Sequence, residues 1–438
     1  MGPGSRRSAA IAAVVTAVAA TGIAPSDQAA ALSVPTVRTV LAGNGDGTAR
    51  FQIANTQCSF ASDVIKGTPW SLQRILFKQL WQNTTGLGVL VAVIDTGVDD
   101  KNVQLSQAVS RKDSSQGTPG GTDYITPGGD GTTDPVGHGT KVAGIIAARP
   151  LPGTGFVGLA PGATILPIRQ NDNQGGGTVA TMVKAIKYAV DSGAKVINIS
   201  QDTSQAMPAN SSLEQAVKYA ERQDVLIVAS AGNGGASDKV KLTYPASYDG
   251  VLAVAASDRN NAPASFSQPG PFVGVAAPGV DMVSTVPGGG HCVDQGTSFS
   301  APYVSGVAAL IRARHPKWSY RQVITQIEQT ADRTIRTRDN YLGWGVVDPV
   351  AAVNDDTTTP QAAPTPDPVA QANGNTKVQA ATVLLGESED ERNQRYAVYA
   401  VAGAGGLVAL LIGGGVVMGD WRRKQGIDVG RKNGEVTS

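Results

Sequence analysis

The chain has 438 residues, and its 36 basic and 35 acidic side chains leave a formal charge of +1. That balance gives no electrostatic footprint for a nucleic-acid partner, and no cofactor is predicted. With both ends set aside, the remaining length is ample for one large α/β domain.

In chain order, residues 1–31 read as a secretory signal: Arg6 and Arg7 precede an apolar run, and Ala29-Ala30-Ala31 offers an A-x-A cleavage site. Residues 32–68 follow, and a segment below about 40 residues rarely folds alone. They are expected to form an arm that stabilises the mature protein and does not inhibit it. Residues 69–353 carry the α/β pattern. Val91-Ala92-Val93-Ile94 has the composition of a buried parallel strand and ends on Asp95. Gly137-His138-Gly139 opens a helical stretch over 141–148. Strands are predicted at 164–169, 196–200 and 225–229, alternating with helices over 179–190 and 213–221, which implies a mostly parallel sheet covered on both faces. The third of these strands runs into a glycine-flanked Asn233, and Gly296-Thr297-Ser298 opens a last helix over 301–313.

Asp95, His138, Asn233 and Ser298 are residue types that one reaction needs together. A serine hydroxyl is a weak nucleophile at neutral pH, so a base must take its proton during attack and return it to the leaving amine. His138 is the candidate base, and Asp95, at the end of a rigid strand, can hold the far ring nitrogen. The oxyanion of the tetrahedral intermediate needs donors, which Asn233 and the backbone N–H of Ser298 can supply. Singly, each has an ordinary reading as a turn or cap residue. Together, in this order on these elements, they point to acyl transfer by a Ser-His-Asp triad. His291 and His315 lack this context; His315, before Pro316, reads as a helix C-terminal cap.

Through Asp95-Thr96-Gly97, Gly137-His138-Gly139-Thr140 and Gly296-Thr297-Ser298-Phe299-Ser300-Ala301-Pro302, the chain resembles the subtilisin-like serine proteases, the subtilases, over about residues 85–353. Val157-Gly158-Leu159-Ala160-Pro161 and Gly343-Trp344-Gly345-Val346-Val347-Asp348 extend the likeness. The order Asp, His, Ser is that of the subtilisin triad. The resemblance implies a three-layer subtilisin-like α/β fold with a mostly parallel sheet, and endopeptidase activity on a protein or peptide substrate. It implies that Gly175, Gly176 and Gly177 pair with an extended substrate backbone, and that Ser200, Gln201 and Asp202 form a wall of the specificity pocket. The family normally continues there with Leu-Gly-Gly, so Gln201 and Asp202 leave the substrate preference open. A calcium loop common in the family is not matched at residues 149–156, which hold no carboxylate or amide. Asp99, Asp100 and Asp134 remain as candidate ligands, but carboxylates near surface loops are usually just solvated, and no metal is predicted.

Both ends narrow the resemblance. Residues 354–395 are rich in Pro, Thr, Gln and Ala and read as a flexible linker. Residues 396–419 form an uncharged stretch long enough to cross a hydrocarbon core of ~30 Å. Trp421-Arg422-Arg423-Lys424 follows, which predicts a single span with the tail, 420–438, in the cytoplasm and the catalytic domain outside. This layout is most like the mycosins, membrane-anchored subtilases associated with type VII secretion, and implies membrane subunits of a secretion complex as partners. A second reading, a stabilising subunit whose protease activity is dispensable, stays open. Cys58 and Cys292 either pair, as an exported chain permits, or remain two thiols; a bridge would tie the arm to the loop before Ser298.

Overall fold

The computed structural model describes residues 49–52, 58–112, 115, 118–237, 241–333, 335–356, 360, 363–367 and 389–431. The predicted signal, most of the arm and linker, and residues 432–438 lie outside the described residues.

Seven parallel strands form the central sheet: β2 (Leu90–Asp95), β3 (Thr122–Asp123), β4 (Thr164–Arg169), β6 (Val196–Ile199), β7 (Leu226–Ser230), β8 (Val251–Ser257) and β9 (Val273–Pro278), in the order β3-β4-β2-β6-β7-β8-β9. Two short antiparallel pairs lie outside it, β1 (Arg50–Gln52) with β5 (Gly176–Thr178) and β10 (Met282–Thr285) with β11 (His291–Asp294). The predicted strands and helices occur within a few residues of their expected bounds. Helix Val179–Asp191 begins in a Thr178–Thr181 capping box, and helix Ser212–Arg222 is capped by Ser211, so orphan N–H groups at both starts are satisfied.

Period-2 alternation along the strands sorts their side chains into two cores. Val91 and Val93 of β2 pack into the layer of helices His138–Ala147 and Thr297–Arg314, while Ala92 and Ile94 pack into that of helices Val179–Asp191 and Ser212–Arg222. These four β2 side chains are at most 1 % exposed, and burying a branched aliphatic side chain contributes roughly 1.5–3 kcal/mol. The same parity carries Asp95 onto the face of the His138 and Ser298 helices. Strand order reverses beside β2, with β4 on one side and β6 on the other. The carboxyl ends of β2, β6 and β7 therefore open on a crevice of the kind where parallel α/β sheets hold their ligands.

The C-terminal unit is one helix, Glu389–Arg431. Its segment from Arg392 to Trp421 has a mean hydropathy of 2.1 in its most apolar window and is long and apolar enough to cross a membrane. The helix extends past both ends of the predicted 396–419 stretch, through flanks rich in Glu, Arg and Gln, which are good helix formers. The predicted linker is also held at its start. Arg333 donates to the Thr365 carbonyl and the Asp367 carboxylate, both at 2.8 Å, so this portion is docked on the catalytic domain.

Candidate active site

Asp95 closes β2 fully buried, and its Oδ1 accepts from His138 Nδ1 and from the Thr96 N–H, each at 2.8 Å. His138 is the first residue of its helix, entered through Gly137 at φ 79°. Gly139 has to be glycine, because a Cβ there would lie 2.0 Å from the Gly97 carbonyl oxygen. His138 Nε2 is buried and makes no hydrogen bond among the described residues. The Phe299 ring lies 5.5 Å from the His138 ring, which brings the start of the Ser298 helix against the imidazole. Ser298 itself is buried at the second position of helix Thr297–Arg314.

Asn233 follows the end of β7 and is locked to that helix start. Its Oδ1 accepts from the Thr297 N–H and the Thr297 hydroxyl, each at 3.0 Å, which leaves Nδ2 to donate elsewhere. A Cβ on Gly296 would lie 3.6 Å from that nitrogen.

Asp134 is the residue that sequence reasoning misplaced. It is buried, with Oδ1 accepting from the Thr96 hydroxyl at 2.7 Å, the Val136 N–H at 3.2 Å and the Gly137 N–H at 2.7 Å. Its Oδ2 accepts from the Thr140 N–H at 2.8 Å and hydroxyl at 2.7 Å. It thus joins the end of β2 to the start of the His138 helix. Burial raises its carboxyl above the usual range, opposed by these hydrogen bonds. The local signal was the Asx-turn spacing from Asp134 to Val136, which lets the carboxylate accept from the backbone just ahead of the helix.

The predicted substrate residues divide. Gly175, at φ 74°, completes a turn in which Asp172 Oδ1 accepts from the Gly176 N–H at 2.9 Å. The strand beyond it is already paired: Arg50, Phe51 and Gln52 lie antiparallel to Thr178, Gly177 and Gly176, with Phe51 buried. The arm expected to stabilise the mature protein thus pairs with one edge of the strand expected to receive substrate. Ser200 accepts from Asn198 Nδ2 at 2.8 Å in a buried chain that includes Ser305. Gln201 turns inward, donating to the Ile94 carbonyl at 3.0 Å and accepting from Gln170 at 2.7 Å, so its side chain serves the sheet. Asp202 is different. Its carboxylate lies beside Gly232, no hydrogen bond or ion pair reaches it among the described residues, and burial alone pushes it up to about 6.

Cys58 and Cys292 form a disulfide with Cα atoms 6.2 Å apart. Around it the arm is docked by backbone bonds from Ser62 N–H to the Gly289 carbonyl and from His291 N–H to the Asp63 carbonyl. The Phe60 ring takes the space a side chain at Gly137 would need, and Lys141 pairs with Asp294 at 2.7 Å beside the bridge. His291 accepts from the Ile65 N–H and contacts Gln104, while His315 caps its helix and stacks on Trp318. Asp99 accepts from the Gly288 N–H, and Asp100 pairs with Arg111. Among the described residues no group of three or more His, Cys, Asp or Glu is placed to hold a metal.

Residues 86–345 match the subtilase family model, Peptidase S8. Subtilisin BL of Lederbergia lenta is 36% identical over 291 residues, covering 66% of this chain and 99% of its own. Mycosin-4 of Mycobacterium tuberculosis is 39% identical over 330 residues, covering 66% of this chain and 70% of its own. Among solved structures, a chain of the periplasmic assembly from the ESX-5 inner membrane complex superposes with a TM-score of 0.61 at 32% identity, covering 78% of this chain and 94% of that one.

Proposed function

The chain belongs to the subtilase family and is a serine endopeptidase related to the mycosins of type VII secretion; from that premise we propose that Asp95, His138 and Ser298 are its triad and that it works tethered outside the cytoplasm. Ser298 Oγ attacks the carbonyl carbon of the scissile bond as its proton passes to His138 Nε2, the ring nitrogen with no hydrogen bond of its own. Asp95 Oδ1 holds Nδ1–H at 2.8 Å, which fixes the tautomer and stabilises the imidazolium. The oxyanion takes hydrogen bonds from Asn233 Nδ2 and the Ser298 N–H. Collapse of the intermediate expels the amine, protonated from Nε2, and leaves an ester on Ser298. A water deprotonated by the same nitrogen then releases the acid.

The observation that carries this reading is the buried Asp95–His138 pair set against the start of the Ser298 helix. The test is labelling by a fluorophosphonate probe: wild-type chain should be modified at Ser298, and the His138→Ala variant should not. Extended substrates would add a strand at Gly175, Gly176 and Gly177, with Ser200, Gln201 and Asp202 opposite, in a sheet where Arg50–Gln52 already pairs with Gly176–Thr178.

The apolar helix supports a single span, with the basic cluster after Trp421 keeping the tail in the cytoplasm. Protease added to wall-stripped cells should then remove the catalytic domain and leave a tag at Ser438 protected. The likeness to a chain of the ESX-5 assembly favours a second role, as a stabilising subunit of a secretion complex. Secretion lost in a deletion but kept in Ser298→Ala would make that role the dominant one.

A further inference from the structure

Among the described residues, Asp202 is an acidic side chain near the site that the triad reading leaves without work. It follows β6 on the side of the sheet where β2 and β7 also end. Gly232, at φ 101°, has no side chain where its neighbours need room: a Cβ there would stand 3.1 Å from Asp202 Oδ2 and 2.9 Å from the Thr243 methyl. The next residue is Asn233, bonded to Thr297, whose neighbour is Ser298. A carboxylate is thus set into the wall of the cleft within a few residues of the candidate nucleophile and oxyanion donor. Thr243 is itself fixed by its hydroxyl, which donates to the Ala231 carbonyl at 2.7 Å, so its methyl faces Gly232.

Resting on the reading of Ser298 as nucleophile, we propose that Asp202 makes this protease select a cationic side chain, arginine or lysine, on the residue whose carbonyl is attacked. The Asp202 carboxylate is partly exposed and has no hydrogen bond or ion pair among the described residues, so a guanidinium or ammonium brought against it supplies donors and the opposite charge. The carboxyl titrates at about 6, so it is charged at neutral pH. Gln201 offers no rival contact, since both ends of its amide are engaged inside the sheet.

The test uses full-length chain and two single-residue substrates, N-benzoyl-arginine and N-benzoyl-norleucine ethyl esters. They reach the pocket before the cleaved bond and need none of the strand edge that Arg50–Gln52 holds. Wild type should favour the arginine ester in kcat/KM by about 30-fold or more, the scale for a desolvated charge pair. Asp202→Asn should bring that ratio close to one, and Asp202→Glu should keep part of it, a rescue that a merely structural role would not give. Fluorophosphonate labelling of each variant shows that its site is assembled. A wild type that prefers norleucine, or a ratio unmoved in a labelled Asp202→Asn variant, overturns the selectivity and leaves the triad standing. A wild type that the probe does not label overturns both.

Discussion

Asp134 is a buried acid and Asp202 a partly exposed one, both at the carboxyl edge of the same sheet, and they are treated in opposite ways. Asp134 receives five hydrogen bonds within the chain; Asp202 receives none among the described residues. The difference follows from what each region has to do. Beneath His138, position must be fixed before substrate arrives, so the protein supplies every donor. At Asp202, on the proposed pocket wall, an internal donor would compete with the substrate. A partly exposed carboxylate with no donor inside the chain, set beside a saturated one, is a place where a cation from outside can bind.

The largest effect tests the saturated side. Ser298→Ala and His138→Ala should each lower kcat for ester hydrolysis by about 10⁶-fold, the scale known for a subtilisin, and the double variant should be hardly worse than either. An additive double variant would mean that the two do not act as a unit.

Asn233 contains both conditions in one side chain, an engaged oxygen and a nitrogen left to donate. Asn233→Ala should cut kcat by about 10²–10³-fold, the range found for an oxyanion donor in a subtilisin. KM should change little, since the donor acts on the transition state. A loss confined to KM would move Asn233 from the oxyanion to substrate binding.

The same substitution, Asp to Asn, should have opposite signs at the two acids. Each Asp134 oxygen faces N–H donors, and the hydroxyls of Thr96 and Thr140 already accept from the Gly139 and Asp99 N–H groups. An amide NH₂ would therefore meet donors whichever way it turned. Asp134→Asn should destabilise the fold by about 2–3 kcal/mol in urea unfolding and lower kcat through a displaced His138.

Asp202→Asn should stabilise, and only at higher pH. The folded carboxyl titrates near 6 against an ordinary 3.8. Its contribution to stability is therefore complete below pH 4 and is lost as pH rises through 6. Replacing it with a neutral amide should restore about 2–3 kcal/mol at pH 8 and nothing at pH 4. Two variants that shift stability in the same direction at pH 8 would erase the distinction between the regions.

The elements that hold the proposed triad were legible because local pattern and geometry agree there. The β2 run alternates two cores and drops Asp95 on the face of the His138 helix, and the glycines flanking His138 mark close approaches that the structure contains, to the Phe60 ring and the Gly97 carbonyl. What escaped depends on partners distant in sequence. Gln201 reads as a pocket residue until Gln170, 31 positions earlier, draws it inward. Arg50-Phe51-Gln52 is too short to announce a strand without the edge it pairs with, and Asp134 looks solvated until Thr96 arrives from β2.

The disulfide has a consequence in time. On the proposed topology the chain leaves the cytoplasm amino end first, and Cys58 emerges 234 residues ahead of its partner. Cys292 stands only six positions before Ser298, so the bridge cannot close until nearly the whole sheet is outside and the nucleophile's own segment is following. Closure therefore marks the moment at which the last part of the catalytic machinery is delivered, and a chain stalled in export carries a loose arm and an incomplete site together.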